Sequence, residues 1–235
     1  MRAEGLTAKV FSVVLAGWNV SLLSQAATAQ TIDLCPEVDA YVSLSKSARL
    51  WVQADRTREE GSPVQAEIGP SLQLSLKPLL KLRQLTERQP DKFKSRTLNL
   101  TIGYRYLQSA GNVTENRIVL EASPRFPLVW KILVTDRNRG ELRWINGGTS
   151  WRYRNRLTME REVSVGSYAF TPYIRGEGYF DSNFNKWSAT ALIAGIVFPF
   201  KKHFELEPTF QHMNQTGGRA NQQVETLGLT LSMYF

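Results

Sequence analysis

The 235-residue chain has one cysteine, Cys35, and two histidines, His203 and His212. One thiol rules out an intramolecular disulfide, and so few soft ligands leave no room for a zinc site of the cysteine–histidine kind. No cofactor follows from the composition. Lipid attachment at Cys35 is not expected, because Ile32, Asp33 and Leu34 stand where small residues are needed. Beyond residue 29 no stretch approaches the roughly 20 apolar residues of a transmembrane helix. A chain like this crosses a membrane with strands or not at all. Runs of one charge are missing too. Lysine and arginine outnumber aspartate and glutamate, 29 to 21, but they are spread along the chain, which argues against a nucleic-acid partner. A lipopolysaccharide surface or small anionic solutes suit the basic excess better.

The N-terminus sets the compartment. Arg2 and Lys9 precede a mostly apolar run over residues 10–23, and Ala27-Thr28-Ala29 forms a small-x-small site. This is the layout of a secretory signal peptide, residues 1–29, with cleavage expected after Ala29. Residues 30–235 then form one domain, a length common for an all-β barrel.

The last strand organises that domain. Leu227, Leu229, Leu231, Met233 and Phe235 fall on one side of an extended strand, and Thr226, Gly228, Thr230, Ser232 and Tyr234 on the other. An apolar side reaching the final residue suits a strand facing lipid, with a small polar side turned to a lumen. Leu229, Leu231, Met233 and Phe235 resemble the C-terminal assembly signal of bacterial outer-membrane proteins, which implies the barrel-assembly machinery as a partner.

Alternating segments separated by turn residues fill the rest. Residues 64–76 alternate across Pro70, which predicts a bulge or a locally unpaired position. Residues 98–106, 117–122, 168–180 and 204–211 repeat the pattern, while 187–198 are apolar on both sides. Residues 128–145 read as one long strand with a break near 136–140. Residues 77–95 are the awkward connection, expected to be a solvated turn, with an amphipathic surface helix as the alternative.

One hairpin carries the charge. Arg137, Arg139, Glu141 and Arg143 share a face before Asn146-Gly147-Gly148, and Arg152, Arg154, Arg156, Glu160 and Glu162 share a face after it. Trp144 and Trp151 lie on the opposite side near the turn, where an aromatic membrane girdle would sit. A dry core cannot hold such a face, since unpaired buried charges cost several kcal/mol each. A wet lumen can. Arginine exceeds glutamate in these rows, an arrangement that favours anionic solutes if a path exists.

The stretch E-L-R-W-I-N-G-G-T-S-W-R-Y-R-N-R-L-T-M-E-R, with the earlier G-Y-R-Y and the final N-Q-Q-V-E-T-L-G-L-T-L-S-M-Y-F, resembles a bacterial family of predicted outer-membrane β-barrels described only as a domain of unknown function. The resemblance spans residues 38–235. It implies a fold and a compartment, the bacterial outer membrane of a Gram-negative-type envelope, and brings no catalytic residues.

The fold expected is therefore all-β: a closed antiparallel transmembrane barrel of about 12 strands, with 10 as the alternative. An even number is expected when both ends of the chain lie on one side. The function expected is non-enzymatic, a porin-like or structural barrel with an Arg/Glu-lined lumen. The alternative is an outer-membrane lipid-modifying enzyme, for which His212, Asn214 and Ser232 are the only raw material. Ser232 lies toward the far end of its strand from His212, a poor geometry for a dyad. A soluble periplasmic ligand-binding barrel is a third class, against which the apolar end at Phe235 argues.

Overall fold

The computed structural model describes residues 32–59, 62–217 and 222–235. The signal-peptide segment and its cleavage site lie outside the described residues. The strands are β1 (Ile32–Ser43), β2 (Ala48–Glu59), β3 (Ser62–Ser75), β4 (Leu98–Ser109), β5 (Val113–Pro127), β6 (Leu133–Ile145) and β7 (Gly148–Glu160). Then follow β8 (Val163–Val165), β9 (Tyr168–Asp181), β10 (Lys186–Phe200), β11 (Phe204–Gln215) and β12 (Gln222–Tyr234). A short helix, α1 (Leu80–Leu85), and a 3-10 turn, Lys92–Ser95, interrupt the β3–β4 connection.

Eleven strands close a ring, each antiparallel to the next from β1 to β7 and from β9 to β12, with β9 seated on β7. The closing pair is the exception. β1 and β12 run parallel, with Ile32 opposite Glu225 and Tyr41 opposite Tyr234. The twelfth strand, β8, has three residues and pairs only with the start of β9, folded back at Gly166, whose φ of 62° favours glycine. Twelve strands are thus present, but the ring is odd. The chain enters β1 at one mouth, here the entry mouth, and leaves β12 at the other, the exit mouth. The expectation of an even ring with both ends on one side is corrected by the parallel seam.

Alternation decides which side chain faces where. Ile68, Leu72, Leu74, Leu100, Ile102, Leu120, Leu142, Leu157, Ile174, Leu192 and Leu229 are all exposed on the outside of the ring. The lumen side takes the charged residues, and Arg105, Arg117, Glu121, Arg139, Glu141 and Glu177 are buried there. This is a soluble protein turned inside out. Monomeric soluble proteins rarely expose contiguous apolar patches above a few hundred Å². The apolar run of β10 is explained by Ala191, Ile193 and Val197, which pack inward on Tyr173 and Tyr179 in a dry sector of the wall.

Local irregularities follow the sequence. Val52 still pairs with Pro70 on the β2 side, but the β3–β4 ladder skips from Ile68 to Ser71. Arg105 Nη1 instead donates to the carbonyls of Gly69 and Pro70, at 3.2 Å each. A side chain at Gly69 would meet the Tyr104 carbonyl, so only glycine permits this approach. The break expected near 136–140 falls earlier, at a 3-10 turn over Val129–Lys131, and β6 runs unbroken.

Candidate functional site

The candidate site is the lumen wall made by β5, β6, β7 and β9. Register places like charges directly opposite three times: Arg117 faces Arg143, Arg137 faces Arg156, and Arg139 faces Arg154. Such pairs repel unless something lies between them. A glutamate does so each time. Glu115 takes Arg117 at 2.7 Å and Arg143 at 2.6 Å. Glu177 takes Arg137 at 3.0 Å and Arg156 at 2.8 Å. Glu141 takes Arg154 at 3.3 Å and Arg139 at 3.7 Å.

The bridges join into one network. Glu141 also holds Arg152 at 2.6 Å, Glu177 holds Arg154 at 3.0 Å, and Glu121 holds Arg139 at 2.9 Å. Asp181 caps it at the entry mouth through Arg143, at 2.8 Å. The side chains of Glu141 and Glu177 are wholly enclosed. Burial of this kind is tolerable only when the charges are paired and hydrogen-bonded.

The facing wall is acidic. Asp39 accepts from Trp51 Nε1 at 2.8 Å and from Tyr41 Oη at 3.2 Å. Glu37 accepts from Gln53 Nε2 at 3.0 Å, and Glu205 accepts from Tyr234 Oη at 2.7 Å. Glu207 pairs with Arg175 at 2.9 Å and accepts from the Tyr173 hydroxyl. A polar cavity of about 400 Å³ separates the two walls. Acidic and basic side chains both line it, among them Glu37, Asp39, Glu207, Arg137, Arg154 and Arg175.

The β3–β4 connection enters this cavity from the exit mouth. Leu82 and Phe93 are buried, and Asp91 and Lys94 line the lumen. Asp91 meets Arg49 at 2.6 Å, while Arg49 lies between the rings of Tyr41 and Phe93, at 4.1 and 4.2 Å. Lys94 reaches Glu160 on β7 at 3.4 Å, Gln89 Nε2 donates to Thr171 on β9, and Arg125 on β5 donates to the Phe93 carbonyl. The connection is therefore tied to four strands. Residues 77–81, Arg83, Gln84, Glu87 and Arg88 are exposed, as expected of a solvated turn, but Leu82, Gln89, Asp91 and Phe93 are buried, and residues 80–85 form the short helix α1. Burial works against the Asp91 carboxylate, but Arg49 outweighs it and holds the group below the usual aspartate range. Burial also works against the Lys94 ammonium, and Glu160 and Glu205 hold it above the usual lysine range.

Of the residues singled out in the hairpin, Arg137, Arg139, Glu141, Arg143, Arg152, Arg154 and Arg156 are brought together, and Glu160 joins Lys94 at the exit mouth. Glu162 is not part of the network. It lies past the end of β7, beside Arg88. Trp151 is outward near the entry mouth and stacks on Phe180 at 5.3 Å, whereas Trp144 sits opposite Thr149, one diagonal step away. Leu229 and Phe235 are exposed outside, and Leu231 and Met233 share their side of β12, half-buried. The charged faces of the hairpin do not contain all the carboxylates that balance its arginines: Glu115, Glu121, Glu177 and Asp181 come from β5 and β9. Their signal was present, since each lies on the charged side of its own strand.

The raw material for catalysis is dispersed. Ser232 is buried in the lumen wall opposite Glu205. His212 is outside, where its Nδ1 lies 2.6 Å from Glu225 Oε1. Among the described residues no group of three or more His, Cys, Asp or Glu side chains is placed to hold a metal ion.

The family model described as "Protein of unknown function (DUF2490)" matches residues 91–224, from Asp91 to the start of the last strand. The chain belongs to the DUF2490 family. Among solved structures it is similar to one titled "Bacterial polysaccharide outer membrane secretin", at 6% identity and a TM-score of 0.51. That match covers 78% of this chain and 63% of the other, so the chain spans less than two thirds of that structure's length. It is also similar to the β domain of the Bordetella autotransporter Brka, at 14% identity and a TM-score of 0.48, over 80% of this chain and 83% of the other. No curated protein matches. At 6% identity the first of these likenesses is one of fold, a β-barrel like that of an outer-membrane protein.

Proposed function

We propose that this DUF2490 barrel is an integral, non-enzymatic protein of the bacterial outer membrane whose lumen is closed at rest. The observation that carries the reading is the inversion of the fold, with a largely apolar outer face and paired charges within. Lipid and lipopolysaccharide would surround the apolar belt, and the barrel-assembly machinery would read Phe235 and the alternating residues before it. Aromatic side chains at both rims, Trp151 and Trp187 at the entry mouth and Trp130 and Tyr168 at the exit mouth, suit the two membrane interfaces.

The Arg49–Asp91 pair favours a plugged barrel over an open channel. It holds the β3–β4 connection inside the exit mouth. Small anionic solutes would pass only when the connection swings out, and the carboxylates of the facing wall would keep their preference over cations weak. Heat-modifiable mobility and membrane fractionation test the placement, and currents across planar bilayers test the plug. We expect membrane-bound, heat-modifiable protein with little conductance, and steady currents from Asp91→Ala. A protein that stays soluble would overturn the placement. An equally open wild type would overturn the plug.

A further inference from the structure

The outer face carries a polar cluster that the charged lumen does not explain. Asp136, Asn138, Tyr153 and Asn155 all point outward on β6 and β7. Asn138 Nδ2 donates to Asp136 Oδ2 at 3.1 Å, and Asn155 Nδ2 donates to Asp136 Oδ1 at 2.7 Å and to Asn138 Oδ1 at 3.1 Å. The Tyr153 hydroxyl also donates to Asn138 Oδ1. Apolar residues enclose the cluster on the same face. Val134 and Met159 lie toward the exit mouth and Leu142 and Trp151 toward the entry mouth. Asn138 is near the middle of β6.

In a membrane this is a costly place for an aspartate and two amides, because lipid tails offer no hydrogen-bond partners there. The cluster satisfies much of itself but not all. One Nδ2 hydrogen of Asn138 and the Oδ1 of Asn155 have no partner among the described residues. One is a donor and the other an acceptor, and the two residues stand directly opposite each other in the ladder. A patch that offers both halves of a hydrogen bond is complementary to a copy of itself, as a two-fold contact requires.

Relief on either side of the cluster has the same property. Toward β4, an apolar groove of about 470 Å³ runs past Leu100, Ile102 and Leu120 to Gly140, where a side chain would meet only open space. Toward β9, the exposed side chains of Leu157 and Ile174 rise beside Gly176, where an added side chain would likewise meet only open space, and so form a ridge. Groove, polar pair and ridge follow one another around the wall. A two-fold axis along the membrane normal, running beside Asn138 and Asn155, sets each ridge into the other copy's groove. Small residues that allow close approach, with amides bonding across the contact, are how spanning proteins associate where no hydrophobic force drives them together.

We propose that the outer face of β6, β7 and β9 is a docking surface for a second copy of this chain, with Asn138 of each copy bonded to Asn155 of the other. The inference rests on the membrane reading, and its test separates the two. A single cysteine is placed at Leu157, or across the ring at Leu229, in a Cys35→Ser background, and the protein is reconstituted in phosphatidylcholine vesicles at low density. A flexible bis-maleimide, able to reach across the axis from one ridge to the other, should cross-link the Leu157→Cys protein to a dimer and leave the Leu229→Cys protein monomeric. Two-step photobleaching of labelled protein should accompany it. Asn138→Leu combined with Asn155→Leu should weaken association about ten-fold or more while keeping heat-modifiable mobility. Failure to enter vesicles overturns the membrane reading and this one with it. Inserted protein that bleaches in one step at every density overturns only the second-copy contact, as does a bound lipid or another protein seated on the cluster.

Discussion

Arg139 and Arg154 face each other directly in the β6–β7 ladder, two guanidiniums where opposite charges would be stabilising. Glu141 on β6 is what makes the pairing tolerable, at 3.7 Å from Arg139 and 3.3 Å from Arg154. It also meets Arg152 at 2.6 Å and Arg117 at 3.8 Å. One carboxylate therefore serves four cations.

That asymmetry gives the first prediction. Glu141→Ala should destabilise the barrel by about 3–5 kcal/mol, since it leaves several arginines confined and underpaired. Arg154→Ala should cost less, because Glu141 keeps three partners. The double variant should show a coupling of about 0.5–3 kcal/mol. Urea unfolding of all three in lipid vesicles measures it. A coupling near zero would mean that the lumen is wet enough to screen each charge separately.

The alternation of β12 gives the second. Leu229 is exposed outside, and Thr230 lines the cavity. Leu229→Arg should lower the folded fraction in vesicles by about 2–4 kcal/mol, the cost of a charge on the lipid face near the midplane. Thr230→Arg should cost far less. The reverse order would turn the ring inside out.

Phe235 supports a third. Its N–H donates to the Tyr41 carbonyl at 2.8 Å and its carbonyl accepts from the Ser43 N–H at 2.8 Å, so it finishes the parallel seam. Deleting Phe235 removes both bonds along with the exposed ring, whereas Phe235→Tyr keeps the bonds and an aromatic side chain. Membrane yield should fall for the deletion and hold for Phe235→Tyr. Equal yields would show that neither the seam's last bonds nor the ring matters to assembly.

The fourth concerns pH. The Asp91 carboxylate is held below its unfolded range in spite of burial, by Arg49. Its contribution is therefore complete above the unfolded value, about 3.9, and is lost as pH falls through the lower folded value. Lys94 runs the other way. With its ammonium favoured by Glu160 and Glu205, its contribution is complete below the unfolded lysine value, about 10.4, and fades only as pH rises through the higher folded value. Between these limits the plug should stay latched, so bilayer currents should be flat from about pH 5 to 9 and rise in strong acid. Asp91→Asn should be open at neutral pH. A wild-type current that climbs between pH 7 and 5 would point to another latch.

Much of the ring was legible because strand side chains obey a period of two. Leu229, Thr230 and Ser232 declare their sides from the sequence alone, and so do Arg137, Arg139 and Arg143. What periodicity does not carry is which strands are neighbours. Glu177 lies forty positions from Arg137, and β9 could be seated against β7 only once β8 was known to be a three-residue spur. The even count failed for the same reason, since nothing in β1 marks it for a parallel partner. The plug was illegible for another. Asp91 sits in an irregular segment whose basic residues read as solvated, and its partner Arg49 is 42 positions upstream. The outward Asp136–Asn155 cluster was hidden by reading β6 and β7 for their charges alone.

The parallel seam between β1 and β12 makes the number of crossings odd. If the barrel spans a bilayer as proposed, Ile32 and Phe235 lie on opposite faces of it. An epitope ahead of Ile32 and one behind Phe235 would be stained from different faces by an impermeant antibody. In a bilayer such a barrel would be a stitch through it rather than a loop on one side, and cargo fused to one end would be moored to the far side by the other.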